Sequence, residues 1–166
     1  MANLAKKIET GANVAIIFAV VMIAMLFVRS YTINRTPARH QISVGTKFAL
    51  PDINWRMKEK NVVFALSTSC HFCSESAAFY QEISRICKEE NIRTIAIFPQ
   101  PIAAAEEYTR KMGLKFDEVR QASLSELEIS GTPTLLLIDS DGSVRNIWVG
   151  KLPVETEKEV LAKTRS

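Results

Sequence analysis

The sequence predicts an α/β fold, a mixed sheet with helices on both faces, behind one apolar N-terminal helix. Three observations carry this. Short apolar runs alternate with stretches of helical period, the last two runs flank a tight turn, and residues 10–28 hold no charge. Alternation calls for parallel strands joined by helices, and a closing hairpin makes the sheet mixed.

Residues 1–9 form a short tail carrying Lys6, Lys7 and Glu9. At about 1.5 Å per residue, a helix over residues 10–28 would cross a hydrocarbon layer of about 30 Å. The run is apolar on every face, unlike a buried soluble helix, and ends Met25-Leu26-Phe27-Val28-Arg29 with no small-x-small cleavage site. It therefore reads as an uncleaved transmembrane anchor in the lipid bilayer. Its orientation draws two opposing arguments. Arg29, Arg35, Arg39 and Lys47 follow the run and only Lys6 and Lys7 precede it, so the charge rule points the C-terminal domain to the cytoplasm. That rule is weak for long translocated domains, and the chemistry below suits a periplasmic or other extracytoplasmic space. The chemistry is given precedence. Residues 29–43 are polar and aperiodic around Pro37 and read as a tether, leaving residues 44–166 as the folded domain.

Within that domain, residues 61–66 (NVVFAL) predict a buried strand. From residue 73 to 90, Phe79, Ile83, Ile86 and Cys87 share one helical face. Residues 93–98 (RTIAIF) predict a second strand, ended by Pro99 and Pro101. A helix over 102–112 stops at Gly113, a short strand covers 115–119, and Ser123-x-x-Glu126 has the form of a capping box opening another short helix. Residues 134–139 (TLLLID), the turn Ser140-Asp141-Gly142 and residues 144–149 form a hairpin, and a last helix covers 154–163.

Composition excludes several classes. The 166 residues fit one domain plus an appendage, with room for a core that needs no covalent help. A net charge of +3, with basic residues scattered among acids, argues against nucleic acid as a partner. Three cysteines are too few for a disulfide scaffold.

Two of them stand as Cys70-His71-Phe72-Cys73, where the first strand hands over to a helix. Helix N-termini offer unpaired N–H groups and positive potential, both favouring a thiolate. Cys70, nearer the start, is the expected attacking thiol, and Cys73, one turn in, the resolving thiol. His71 is a candidate tuner of the thiolate. Zinc would need about four ligands; Cys87 lies four helical turns on and His40 falls in the tether. A copper carrier would need a distal histidine, and beyond His71 the domain has none. A peroxidase of the peroxiredoxin kind would find its hydroxyl in Ser67 but Val63 in place of its proline. Cys87 shares a face with Ile83 and Phe79 and reads as core; Trp55, Trp148, Phe79 and Tyr80 read as packing residues.

With Gly131-Thr132-Pro133 ahead of the TLLLID strand, the sequence resembles the thioredoxin superfamily, and more narrowly the membrane-anchored TlpA-like thiol–disulfide oxidoreductases. "VGTKFALPDINW" is similar to that group's N-terminal hairpin, "AAAEEYTRKMGLKFDEV" to its inserted helix–strand segment, and "GTPTLLLIDSDGSVRNIWVG" to its C-terminal hairpin. The likeness runs from Val44 to the end. It implies a thioredoxin-like fold, a mixed central sheet with flanking helices. Cys70 is then the nucleophile, Cys73 the resolving cysteine and Pro133 a cis-proline, with Thr132 offering its backbone to an extended substrate. It also implies thiol–disulfide exchange without a bound cofactor. Expected partners are protein thiols or disulfides, among them apocytochromes or other envelope proteins, and a membrane or soluble redox donor. The sequence departs from the pattern in two ways. Ser69 stands where a Trp is common, and residues 61–66 lack the buried acid that accepts a proton in many thioredoxins, leaving Glu75 as a weak candidate. The reading from another class is a membrane-tethered binding or adaptor module with little redox turnover.

Overall fold

The structure, a computed structural model, describes residues 18–26 and 41–165. The chain divides into two units, residues 1–39 and 40–166. In the first, residues 18–26 are helical and their side chains exposed. Among the described residues no helix is long and apolar enough to cross a membrane. The remainder of the anchor expected at 10–28, the tail 1–9 and most of the tether 29–43 lie outside the described residues.

In the second unit, five strands stand in the order β3-β2-β1-β4-β5. They are β1 (Lys60–Ala65), β2 (Arg93–Phe98), β3 (Glu118–Gln121), β4 (Thr134–Asp139) and β5 (Val144–Val149). The helices are α1 (His71–Glu75), α2 (Ala77–Glu89), α3 (Ile102–Lys111) and α4 (Val154–Arg165). β1 lies at the centre, parallel to β2 and antiparallel to β4; β2 and β3 are parallel, β4 and β5 antiparallel. The sheet is mixed, as the alternation and hairpin imply.

Strand periodicity sorts the core into two layers. Val62, Phe64 and Leu66 point to one face with Ala96, Phe98, Leu135 and Leu137. Phe79, Tyr80, Ile83 and Cys87 of α2, Tyr108 of α3 and Val160 of α4 cover that face. Phe64 is fully buried between Tyr80, 5.7 Å away edge-on, and Phe116 at 4.8 Å. Val63, Ala65, Ile95, Ile97, Leu136 and Ile138 point to the other.

Among the described residues no α-helix supplies that second layer. Loops cover it instead, through Phe48 and Leu50 before β1 and Leu127 and Ile129 before β4. This corrects the expectation of helices on both faces. The connections β1–α–β2 and β2–α–β3 each step one strand in the same direction, so their helices share a face. The chain must then return from β3 past β2 and β1 to reach β4, and it does so across the opposite face. The capping box expected there does not form. Ser123 Oγ pairs with Ser125 Oγ (2.9 Å), and a single turn closes with Leu127 N–H on Ser123 O and Glu128 at φ 57°.

Three further differences concern boundaries. The helix expected from 73 to 90 is broken at Ser76 into α1 and α2. The strand expected at 115–119 is shifted to Glu118–Gln121. The stretch "VGTKFALPDINW" makes no hairpin of its own; it forms one bridge, Lys47 to Ser143, and ends at a 3-10 turn, Trp55–Met57. The chain leads into that stretch from the end of the sheet where β4 begins. Ile42 N–H bonds Glu128 O (3.1 Å), and residues 41 and 42 border a cleft of about 270 Å³ with Ser130, Thr134 and Val149. It then runs toward the β4–β5 turn, where Gly45 N–H meets Val144 O and Phe48 N–H meets Gly142 O.

Candidate active site

β1 and β2 are parallel neighbours, so whatever follows each strand emerges at the same end of the sheet, where ligand sites of open α/β sheets gather. Ser67-Thr68-Ser69-Cys70 follows β1, Pro99-Gln100-Pro101 follows β2, and Gly131-Thr132-Pro133 leads into the antiparallel β4 at that end. Three loops far apart in sequence therefore converge.

Cys70 is the N-cap of α1, with extended backbone angles (φ −85°, ψ 112°). Its N–H bonds Ser67 O (3.1 Å) and its sulfur accepts the Cys73 N–H at 3.2 Å. The sulfur also donates to Thr132 O at 3.3 Å. The Thr132–Pro133 peptide is cis, as the resemblance implies for Pro133, and Pro133 O accepts the Gly150 N–H. Cys70 is partly exposed and Cys73 fully buried; both are free thiols. Burial, above all, and then the neighbouring Cys70 sulfur push the Cys73 thiol up to about 12, against the opposing pull of the Ser67 backbone and the Thr132 side chain. Because α1 is a single short helix, the N–H that reaches Cys70 directly matters more here than the dipole of a long one.

His71, the expected tuner, is highly exposed and pairs through Nε2 with Glu75 Oε1 at 3.0 Å. Glu75 Oε2 in turn receives Lys151 Nζ at 2.8 Å. Lys151, first, and then the charge of His71 hold the Glu75 carboxyl below the usual range. A carboxylate so stabilised is a poorer proton acceptor, so Glu75 does not replace the acid missing from β1. Phe72 is about half exposed beside Cys70.

Several contacts were not read from the sequence. Gln100 donates to Ser67 Oγ (2.8 Å) and accepts from Thr68 N–H (3.3 Å), while Ser67 Oγ and Ser69 Oγ lie 3.1 Å apart. Ser74 Oγ meets Tyr108 OH at 3.3 Å. The only signal for Gln100 was its place between two prolines just beyond a strand; Lys151 had none. Cys87 is buried in the core with no part in the site, and burial likewise pushes its thiol up to about 12. Among the described residues no group of three or more His, Cys, Asp or Glu side chains is placed to hold a metal.

A family profile described as a thioredoxin-like domain matches residues 53–165. The chain belongs to that family. Family and paired thiols together support a thiol–disulfide oxidoreductase. Solved structures give the thioredoxin-like fold the same way. A protein designated thiol:disulfide interchange protein DsbE from Chlorobium tepidum is 18% identical, with TM-score 0.61 over 75% of this chain and 99% of its own. A thiol-disulfide isomerase from Corynebacterium glutamicum is 18% identical, with TM-score 0.56 over 76% of this chain and 94% of its own. A secreted Mycobacterium tuberculosis disulfide oxidoreductase, homologous to E. coli DsbE, is 13% identical, with TM-score 0.51 over 78% and 98%. No curated protein matches the chain.

Proposed function

We propose that this thioredoxin-like domain exchanges disulfides with protein substrates through Cys70 and Cys73, and that residues 10–28 anchor it in a membrane with the domain on the extracytoplasmic side. One observation carries the reading: a partly exposed sulfur at a helix N-cap, 3.2 Å from the N–H of a buried second cysteine and 3.3 Å from the carbonyl before a cis-proline. Cys70 thiolate attacks one sulfur of a substrate disulfide, making a mixed disulfide and expelling the first substrate thiolate. Cys73 loses its proton and attacks the Cys70 sulfur, closing Cys70–Cys73 and releasing the second. Two electrons pass to the substrate, and a partner redox protein returns the pair to dithiol; run backwards, the same steps oxidise a client. Pro133 and Thr132 line the groove that holds the substrate segment, and His71 sits at its exposed rim. No cofactor enters the cycle.

The uncharged run supports the anchor. The secreted Mycobacterium relative, and the rarity of stable disulfides in reducing compartments, support an extracytoplasmic site. Anchoring would suit clients or donors that are themselves at the membrane, with a TlpA-like role toward apocytochrome or other envelope thiols.

Equilibration of the full chain with glutathione tests the reading. A potential near that of thioredoxin, about −270 mV, marks a reductant, and one near about −120 mV a disulfide donor. Cys73→Ser should accumulate a mixed disulfide with a disulfide-containing peptide, and Cys70→Ser should form none. A chain that shows no reversible exchange but still holds its partner would be a binding module instead.

A further inference from the structure

We propose that Lys151 is a positioning residue for client binding, a role that rests on the exchange reading above. With Gly150 it clamps the cis-proline loop to the helix that carries the paired thiols, and so holds the groove between them at one width.

The groove has two walls from distant parts of the chain. One is α1, with Cys70 at its N-cap. The other is Gly131-Thr132-Pro133, closed on itself by Thr134 Oγ1 donating to Gly131 O at 2.8 Å. The direct tie between the walls is the Cys70 thiol, which donates to Thr132 O at 3.3 Å. That bond needs the proton on sulfur. It is gone once Cys70 is a thiolate or carries a client in a mixed disulfide, the states in which the groove has to work.

A second tie needs no thiol. Gly150 N–H donates to Pro133 O at 2.7 Å, and Lys151 Nζ donates to Glu75 Oε2 at 2.8 Å. Glu75 is the last residue of α1. Two consecutive residues thus hold one wall each, the first through its backbone and the second through its side chain. Val149 pairs with Thr134 at the end of the β4–β5 ladder, which brings Gly150 beside Pro133. Gly150 then takes φ +83°, a left-handed turn, and the chain leaves the line of β5 with Lys151 against α1. His71 takes the other oxygen of Glu75 at 3.0 Å, but it belongs to α1 itself and bridges nothing. Both ends of the Lys151–Glu75 pair are partly exposed, so its strength is that of a surface ion pair, modest and screened by salt. A modest pair suffices for a clamp, which spares the client the cost of ordering the groove as it binds.

The exchange step is unchanged. Cys70, its proton already lost to solvent, bonds one substrate sulfur, and the other leaves as thiolate. Lys151 takes no proton and forms no bond in that step; it acts through Glu75.

Mixed-disulfide formation by the full chain in a Cys73→Ser background tests this. Two probes are compared: an uncharged disulfide-containing peptide, which lies along the groove, and hydroxyethyl disulfide, which is too small to span it. Lys151→Met should slow the peptide about threefold, the scale of one exposed ion pair, and hydroxyethyl disulfide much less. The loss should fall on the half-saturating concentration of peptide and not on the limiting rate. Lys151→Arg should restore the wild-type rate. Glu75→Leu should act in the same direction as Lys151→Met, and the double variant should be no slower than either single. A charge acting on Cys70 through space would instead move those two variants in opposite directions. In about 1 M salt the wild-type peptide rate should fall to that of the variants. Equal slowing of both probes, opposite effects of the two variants, a loss confined to the limiting rate, or no rescue by Lys151→Arg would overturn the clamp. Should Lys151→Met not fold, Glu75→Leu decides alone by its ratio of peptide to hydroxyethyl disulfide rates. A wild-type chain with no exchange at all would sink the reading on which the clamp rests; normal wild-type exchange with unaffected variants would sink the clamp alone.

Discussion

At the scale of single residues, the site separates two thiols by exposure alone. Cys70 reaches solvent and Cys73 does not, and burial raises the proton affinity of Cys73. Cys87, in the core, shows a similar rise from burial. Both thiols bind their protons more tightly folded than unfolded. Between about 9 and about 12 the unfolded chain has therefore lost protons that the folded chain keeps, and the slope of stability with pH is negative there. Stability is complete below the ordinary thiol range and falls as pH rises through it, by at most about 1.4 kcal/mol per unit for each thiol. Denaturant melts of the reduced chain from pH 8 upward should show this, and Cys87→Val should flatten the decline by about half between about pH 9 and pH 10, below the range where the raised hydroxyl of buried Tyr80 adds to it. An unchanged slope in Cys87→Val would mean that its burial is not what sets its affinity. The thiols themselves were legible because a two-residue spacing after an apolar run is a local signal. Gln100 and Lys151 were not, because each meets its partner only after strands remote in sequence have paired.

At the scale of elements, local signals worked where they agreed with the sheet. The runs at 93–98, 134–139 and 144–149 appear within those limits as β2, β4 and β5, each bounded by a proline or a turn. The capping box at Ser123 failed because a crossing segment has to span the sheet with Leu127 and Ile129 turned inward, and one turn satisfies that better than a helix. The break at Ser76 left no periodic trace, since the buried side chains of α2 keep their spacing on either reading. The β4–β5 turn offers the sharpest test of an element's own chemistry. Gly142 has φ +82° and passes so close to the Trp55 ring that a Cβ there would sit 2.8 Å from its Cδ1. Gly142→Ala should cost about 1–3 kcal/mol in denaturant unfolding, from backbone strain and the displaced indole together. Gly131→Ala, at an ordinary φ with open space around it, should cost less than about 1 kcal/mol.

For the whole molecule, the order β3-β2-β1-β4-β5 decides what lies on each side. It puts every described α-helix of the domain on one face and gives the other to loops and the Trp55 turn, which no count of helices and strands along the chain could foretell. It also gathers three loops around Cys70 at one end of the sheet; the meeting of the Cys70 and Pro133 loops is what the resemblance anticipated, and the loop of Gln100 is what it did not. At that same end the N-terminal stretch meets the domain, residues 41 and 42 sharing a cleft with Ser130 and Thr134. α4 finishes at the opposite pole, where Arg165 shares a cleft with Lys60 and Ser140. A leash tied on at residue 41 thus pulls from the reactive pole, whereas a handle at the C-terminus pulls from the inert one. Domain held to a bead through residue 41 should reduce a folded client several-fold more slowly than domain held through its C-terminus, while a short disulfide peptide reacts equally with both. Equal rates for the folded client would mean that the pole is not shadowed. The point of attachment, and not only the reactive pair, would then set which clients Cys70 can reach.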